Sequence, residues 1–480
     1  MKWKYFMKPN LMLTLAALLL AMNVTTVKGV ESLPSLKDGT PPQTFEEMWA
    51  GFDPRNSPWF FCALGARLAL TFLEQQSEVD KNKLGVYGHS MGGKLTVMTA
   101  AADARVKAAA PSCGGISDRD NKSELFRATV GDGAKLPHVA CPIFLMSLAN
   151  DFHARFNDLS TALGEIQSKQ WRVTCAPHHN HHDTAEYAVA TQLWFDQQLE
   201  GTFQTPATPK TVLTLKTANG IPVLAISPEE SRLILAVDVF YSQQGPEAGQ
   251  QEERGDAITR FCHHASATKQ SCKWTADLPL SSTGKPLWVY TNVLYPLDKP
   301  VTGAGYYYDI YTADRFNLSS VLRVASPQEL KSAGVKAALL PSLLIEDFAG
   351  DWQKEWFSYK PEDWPLDTHK IGDSQWHAPA SAKLALEVRA AQPNKLVVGL
   401  GKYAAEASLR GGGEWENIQF SPGDFRNAEC QSLSGWKDVK ELRLGAQETL
   451  RLKGEKGTTK AFGGVWKGAA PEFRNLRWEK

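Results

Sequence analysis

The chain has 480 residues, of which 43% are hydrophobic and 22% are charged. This composition is that of a globular protein, and it excludes a disordered, collagen-like or coiled-coil chain. The 52 Lys and Arg residues balance the 52 Asp and Glu residues, so the formal net charge is zero. Charge therefore gives no reason to expect nucleic acid or an anionic membrane as a partner.

The first 29 residues have the pattern of a secretory signal peptide. Three lysines within the first eight residues precede an apolar stretch over 11–22, and Val27-Lys28-Gly29 offers a small-residue cleavage site. The apolar stretch is shorter than the roughly 20 residues that span a membrane, although an uncleaved anchor is the alternative. We therefore predict an exported protein, secreted or periplasmic, with no stable membrane insertion after signal cleavage.

Residues 30–201 are predicted to form an α/β domain, because helical and strand patterns alternate along them. Helices are predicted at 59–76, 94–102, 161–168 and 185–199, and strands at 84–87, 105–111, 141–147 and 171–175. The continuous apolar run at 141–147 is typical of a strand buried on both faces of a parallel sheet. Strands alternating with helices indicate an α/β fold with such a sheet.

After Gly201 the pattern changes to short, alternating segments separated by turn residues. A linker rich in proline and threonine opens a predicted β-sandwich-like domain over 202–335, and a second β domain is predicted over 340–480. In the second domain several tryptophans could stack on sugar rings, although packing in the core is the simpler interpretation of each. They are Trp352, Trp356, Trp364, Trp376 and Trp415.

The seven cysteines form no CxxC pair. Cys262 and Cys272 are close enough to close a loop in an exported protein. His263 and His264 between them suggest a metal site, but the spacing is not a usual one for zinc. We predict no metal and no cofactor.

The segment Gly88-His89-Ser90-Met91-Gly92 is a G-x-S-x-G motif. In this motif the glycines leave room for a strained strand-to-helix turn that exposes the serine Oγ, and the N–H of the next residue, Met91, points at the developing oxyanion. The alternative is an inert serine in a glycine-rich turn. Because a predicted strand precedes the motif and a predicted helix follows it, the sequence favours Ser90 as a nucleophile.

A serine nucleophile of this kind needs an acid and then a histidine further along the chain. Asp151 directly follows the apolar strand at 141–147, where the acid is expected, although it could instead be a cap or turn residue. Asp158 and Asp132 are weaker candidates, because no apolar strand immediately precedes them. Four histidines compete in the loop before the last predicted helix. We favour His181 because it lies just before that helix, and His182 and His179 stay open as alternatives.

The runs LGVYGHSMGGKLTVMTAAADARVKAAAPSCGG and CPIFLMSLANDFHARFNDL are the most specific parts of a resemblance over residues 56–200. This stretch resembles exported bacterial α/β-hydrolases of the dienelactone hydrolase and acetyl xylan esterase type. The resemblance implies hydrolysis of carboxylic esters through an acyl-enzyme, with Ser90 as nucleophile, Asp151 as acid and His181 as base. Residues 343–480 resemble a galactose-binding-like β jelly roll of carbohydrate-active enzymes.

The sequence departs from the resembled enzymes upstream of the nucleophile elbow, the strand-to-helix turn that carries Ser90. Four strands and two helices with their loops need about 80 residues. Only residues 30–89 lie between the predicted signal peptide and Ser90, and they contain no His-Gly-Gly-type run for the second oxyanion donor. We therefore predict an α/β-hydrolase-type sheet that lacks N-terminal strands, as though a block had been lost between Arg55 and Asn56.

The predicted function is that of a serine hydrolase acting on a small-molecule or polysaccharide ester, including acylated carbohydrate. Two alternatives stay open. One is a catalytically inactive carbohydrate-binding protein that retains a degenerate hydrolase domain. The other is a serine peptidase, because related folds cleave peptides with the same three residue types.

Overall fold

The computed structural model describes residues 57–182, 185–245, 261–271, 273–304, 310–359, 364–451 and 459–480. The predicted signal peptide, the proposed junction at Arg55 and Asn56, and Cys272 lie outside these residues. Within them, no helix is both long enough and apolar enough to cross a membrane.

The first region is a parallel sheet with helices. Its elements, in chain order, are α1 (Pro58–Glu74), β1 (Leu84–His89), α2 (Met91–Ala102), β2 (Val106–Ser112), α3 (Glu124–Thr129), α4 (Asp132–Lys135), β3 (Ile143–Leu148), α5 (Leu159–Glu165), β4 (Trp171–Ala176) and α6 (Ala185–Phe195). Short 3-10 turns follow α4 and precede α5, and α6 continues as a π-helical turn over Asp196–Glu200.

The sheet has the strand order β1-β2-β3-β4, and all its pairs are parallel. Every residue of β3 is buried, as its uninterrupted apolar sequence predicts. Helix α1 begins where the sequence signals it, because Pro58 occupies the first turn and the Ser57 hydroxyl accepts the N–H of Trp59. Among the described strands β1 forms one edge of the sheet, and its carboxyl end leads directly into Ser90.

The second region consists of antiparallel strands. They are β5 (Lys210–Thr214), β6 (Val223–Ser227), β7 (Ala236–Ser242), β8 (His263–Ser266), β9 (Thr268–Gln270), β10 (Lys273–Asp277), β11 (Leu287–Ala304), β12 (Ile310–Ser319) and β13 (Arg323–Ala325), followed by helix α7 (Pro327–Ser332). They form one sheet in the order β5-β6-β10-β9 and another in the order β12-β11-β7-β8, with β13 beside β11.

The third region is also antiparallel. Its strands are β14 (Leu344–Glu346), β15 (Leu366–Thr368), β16 (Lys383–Arg389), β17 (Asn394–Leu400), β18 (Tyr403–Leu409), β19 (Trp415–Phe420), β20 (Leu442–Gly445), β21 (Gln447–Arg451), β22 (Thr459–Gly463) and β23 (Glu472–Glu479). Two four-stranded sheets have the orders β14-β23-β16-β19 and β15-β20-β17-β18, and β21 pairs with β22. Short 3-10 turns lie at Trp352–Glu355, Lys370–Gly372, Ser374–Trp376 and Pro422–Asp424.

The first and second regions share a buried surface. Residues of β3 and α6 lie in the same apolar cluster as residues of β7 and β11. At the edge of β4, the N–H of Cys175 donates to the Ser319 hydroxyl at 2.7 Å, and the Asn292 amide donates to the Cys175 carbonyl at 3.0 Å. Side chains of the second region therefore form hydrogen bonds with backbone groups at the free edge of β4.

The predicted fold class is confirmed: a parallel sheet with helices is followed by two β-rich regions. Several elements were not predicted, among them β8, β9, β10 and β18 and the short helices α3 and α4. These pieces are short and partly polar, so they carry little periodicity. The predicted domain boundaries at 201, 335 and 340 stay predictions.

Candidate active site

Ser90 lies in a strained turn between β1 and α2. Its φ of 60° and ψ of −118° are unfavourable for a residue with a Cβ. A Cβ at Gly88 would lie 2.6 Å from the carbonyl carbon of Gly92, so position 88 must be glycine. A Cβ at Gly92 would meet nothing within 4 Å, so only the first glycine of the motif is sterically required.

The side chains of Ser90, His181 and Asp151 form a continuous hydrogen-bonded chain. His181 Nε2 lies 2.7 Å from Ser90 Oγ, and His181 Nδ1 lies 3.1 Å from each carboxylate oxygen of Asp151. Asp151 is fully buried, and the His181 side chain is 15% exposed. The structure thus brings together the three residues that the sequence analysis favoured, which are 61 and 30 positions apart in the chain.

The chemistry of the partners assigns the proton positions. A carboxylate only accepts, so His181 Nδ1 carries the hydrogen and Nε2 has the free lone pair that accepts the Ser90 hydroxyl. Asp151 is held by its own turn, because its Oδ1 accepts the backbone N–H of His153 at 2.6 Å and that of Ala154 at 3.1 Å. The arrangement can therefore remove a proton from Ser90 and stabilise the imidazolium that results.

The alternative histidines of the loop point elsewhere. His179 Nδ1 lies 3.0 Å from the Pro177 carbonyl oxygen and its Nε2 lies 3.3 Å from that of Ser358. Burial lowers the pKa of His179 to about 4, so its ring is neutral near pH 7. The His182 ring stacks on Tyr359, with ring centroids 5.5 Å apart. Among these candidates, His181 is the one that forms a hydrogen bond with Ser90.

Aromatic rings surround His181. The rings of His89 and Phe152 have centroids 4.8 and 4.7 Å from that of His181. Burial and the neighbouring His181 lower the pKa of His89 to about 4, and its Nδ1 lies 3.0 Å from the Ser112 hydroxyl. His89 is therefore neutral and adds no repulsion when His181 becomes charged. His153 lines the same site, with Nδ1 3.0 Å from the Cys113 carbonyl oxygen.

The predicted oxyanion donor Met91 is the first residue of α2. At this position a backbone N–H has no partner within the helix, and it lies at the positive end of the helix dipole. It is therefore suited to an oxyanion formed next to Ser90. The sequence predicts no second donor in the segment upstream of Ser90, and residues 30–56 of that segment lie outside the described residues.

A buried ionic cluster supports the elbow from behind. Lys94, one turn after Ser90 on α2, contacts Asp132 at 2.6 Å and also contacts Asp118, and all three side chains are at most 10% exposed. Burial raises the pKa of Asp118 to about 6, although the positive charge of Lys94 opposes the rise. The Lys94 ammonium also lies over the rings of Trp59 and Phe126.

Sequence reasoning missed this cluster, and it missed Asn180 within the histidine loop and Tyr359 beside it. Lys94, Asp118 and Asp132 are spread over three segments with no motif. The Asn180 side chain accepts the backbone N–H of Phe152 at 3.2 Å, and the Tyr359 hydroxyl accepts that of Asn180 at 3.0 Å. The clustering of polar residues at 178–183 was a signal for Asn180, whereas no local signal marks Tyr359.

Residues 55–184 match the Dienelactone hydrolase family. The match spans β1 to β4 and includes the positions of Ser90, Asp151 and His181. This match supports the part of the predicted resemblance that concerns dienelactone hydrolases. A comparison with curated proteins returned no match.

Several solved structures are similar to part of the chain. A cold-adapted esterase from an Arctic intertidal metagenomic library is 22% identical, with 33% of this chain and 65% of that chain covered and a TM-score of 0.26. The acetyl xylan esterase from Paenibacillus sp. R4 is 17% identical, with coverages of 30% and 53% and a TM-score of 0.26. Acetyl xylan esterase 1 from Thermoanaerobacterium sp. JW/SL YS485 is 15% identical, with coverages of 36% and 61% and a TM-score of 0.29.

The chain spans less than two thirds of the length of each of these three structures.

Proposed function

We propose that the protein is a serine esterase that cleaves carboxylic esters through an acyl-enzyme. Ser90 is the nucleophile, His181 the general base and Asp151 the acid that orients it. The observation that carries the proposal is the chain of contacts from Ser90 Oγ through His181 to Asp151, at 2.7 and 3.1 Å. Hydrogen-bond distances of this length are those required of a nucleophile and its base.

In the first half-reaction, Ser90 Oγ attacks the ester carbonyl carbon while His181 Nε2 takes the hydroxyl proton. The carbonyl oxygen becomes an oxyanion, for which the Met91 N–H is a donor. The imidazolium then gives its proton to the departing alcohol, and the acyl group stays on Ser90. In the second half-reaction, His181 activates a water that releases the carboxylic acid and restores the serine.

A fluorophosphonate probe tests the proposal, because it labels only a serine that a base has activated. Purified mature protein should be labelled, and it should hydrolyse p-nitrophenyl acetate, whereas Ser90→Ala should do neither. Ser160→Ala is a matched control, since it removes a serine hydroxyl in α5. A wild-type protein that is neither labelled nor active would overturn the proposal.

For the substrate class we propose an acylated carbohydrate, on the strength of the jelly-roll resemblance of residues 343–480. The two antiparallel four-stranded sheets of that region are compatible with it. The tryptophans add no support. Trp356 and Trp376 are buried, and Trp352 and Trp364 are partly buried and pack against the core. The guanidinium groups of Arg389 and Arg474 lie 5.0 and 4.2 Å from the ring centroid of Trp415. Acetate release from acetylated xylo-oligosaccharides tests the class, and its absence beside activity on p-nitrophenyl acetate would reject it.

The alternatives give different outcomes in the same experiments. An inactive carbohydrate-binding protein would bind a glycan array without Ser90-dependent labelling. A peptidase would cleave short aminoacyl amides faster than acyl esters.

We also propose that the protein is exported after cleavage following Gly29. The support is the basic start and apolar stretch of residues 1–22. Intact mass measurement of protein from the secreted or periplasmic fraction should give a chain that begins at Val30. A chain that retains residues 1–29 would contradict the proposal.

A further inference from the structure

The loop that carries His181 is bound along its length by the third region. His178 Nε2 lies 2.6 Å from the Lys354 carbonyl oxygen, and His179 Nε2 lies 3.3 Å from that of Ser358. The N–H of Asn180 donates to the Tyr359 hydroxyl at 3.0 Å. Three consecutive loop residues thus contact one segment, 354–359, that is more than 170 residues away in the sequence.

Tyr359 makes contacts on both sides of His181. Its hydroxyl accepts the N–H of Asn180 and also donates to the Asn180 carbonyl at 3.4 Å. Its ring stacks on His182 at 5.5 Å and meets the edge of His179 at 5.2 Å. Burial raises the pKa of Tyr359 to about 12, so the hydroxyl keeps its proton and its role as a donor at neutral pH.

The loop needs such support because its backbone is strained. His178 has a φ of 66° and His181 a φ of 58°, in the left-handed region that residues with a Cβ rarely adopt. Conformations of this kind persist only when the surrounding structure holds them. On its inner side the loop is held by Asp151 through His181 and by Phe152 through Asn180, and on its outer side by segment 354–359.

We propose that Tyr359 is a positioning residue of the active site, holding the strained loop so that His181 stays within hydrogen-bonding reach of Ser90. The inference rests on the proposed esterase function and adds to it. It makes the third region a part of the catalytic apparatus, in contrast to an accessory domain that only binds carbohydrate. A change at residue 359 should then alter the state of a histidine 178 positions away.

The test is Tyr359→Phe, which keeps both ring contacts and removes both hydrogen bonds to Asn180. We expect kcat for p-nitrophenyl acetate to fall about 10-fold, with KM changed less than twofold, because small displacements of catalytic groups cost as much as about 10²-fold. Dividing by the concentration of protein labelled by the fluorophosphonate removes any effect of a smaller folded fraction. Tyr359→Ala, which also removes the ring contacts, should lower kcat further.

Tyr403→Phe is the matched control, because it removes a tyrosine hydroxyl of the same region at a ring that lies beside Lys402. It should leave kcat and KM unchanged. An equal kcat in wild type and Tyr359→Phe would overturn the inference. So would an equal loss in both tyrosine variants, since the effect would then not depend on the loop.

A second measurement does not depend on turnover. In protein labelled with 13C at histidine Cε1, the His181 signal is assigned by its loss in His181→Gln. We expect this signal to shift or broaden in Tyr359→Phe and to stay in place in Tyr403→Phe. An unchanged His181 signal in Tyr359→Phe would overturn the inference even in a chain that hydrolyses nothing, whereas an inactive wild type with the expected shift would overturn only the esterase proposal.

Discussion

Replacing Lys94 with methionine would leave two buried carboxylates without their shared cation. Lys94 contacts both Asp118 and Asp132, and the three side chains are 4%, 10% and 4% exposed. Methionine keeps much of the apolar stem that packs near Trp59 and Phe126. The substitution therefore removes mainly the charge.

The size of the effect follows from the geometry. At 2.6 Å and an effective dielectric constant of about 20, the attraction between Lys94 and Asp132 alone is roughly 6 kcal/mol. The cost of burying these charges offsets much of that attraction, so removal of one partner typically destabilises by about 3–5 kcal/mol. We expect Lys94→Met to lower the free energy of unfolding by that amount at neutral pH.

The loss should depend on pH in a definite direction. Burial and the neighbouring Asp132 already raise the pKa of Asp118 to about 6 against the opposing charge of Lys94, so removing Lys94 should raise the pKa of Asp118 further. A carboxyl group whose pKa is higher in the folded state than in the unfolded state stabilises the fold at pH values below its unfolded pKa. This stabilisation is lost as the pH rises through the folded pKa. The destabilisation should therefore be smaller at pH 5 than at pH 8.

The assay is urea unfolding followed by circular dichroism at pH 5 and pH 8. Lys107→Met is the control, because Lys107 is exposed and its ammonium donates to the Ala104 carbonyl oxygen at 3.1 Å. The triple variant Lys94→Met, Asp118→Asn, Asp132→Asn should recover much of the loss, which keeps the test usable if the single variant folds poorly. A loss under about 1 kcal/mol at pH 8, or a larger loss at pH 5, would refute the reasoning.

Two further predictions concern the elbow and the acid. Gly88→Ala should lower the free energy of unfolding by about 1–3 kcal/mol and abolish Ser90 labelling, because its Cβ would lie 2.6 Å from the Gly92 backbone. Gly92→Ala is the control and should melt within a few degrees of wild type, because its Cβ would meet nothing within 4 Å. Equal melting temperatures for the two variants would contradict this prediction. Asp151→Asn should lower kcat about 10⁴-fold, because the amide no longer imposes the tautomer in which His181 Nε2 accepts from Ser90. A loss below 10-fold in steady-state hydrolysis would show that Asp151 is not the acid.

The sequence was sufficient for the features that depend on local pattern. The strand before Ser90, the helix after it and the buried strand before Asp151 are all where periodicity and motif indicated. The loop before α6 shows where local pattern ends. The position just before the helix favoured His181. His179 and His182 instead contact Ser358 and Tyr359, and no spacing in the sequence predicts that these two segments lie side by side.

The same reason explains the missed ionic cluster. In the sequence Lys94, Asp118 and Asp132 look like ordinary polar surface residues. Only the folded structure removes all three from water. Buried charges are rare and occur in pairs or networks, but their partners are chosen by tertiary contact, which a single sequence does not reveal.

The torsion angle of Ser90 has a consequence for how the chain can change over generations. At φ 60° a glycine would relieve the backbone, so Ser90→Gly is expected to fold more stably than the natural chain while having no nucleophile. Stability and hydrolysis are thus opposed at this position, and a lineage released from selection for hydrolysis would gain by giving up the serine. The difference in unfolding free energy between the natural chain and Ser90→Gly measures that opposition directly.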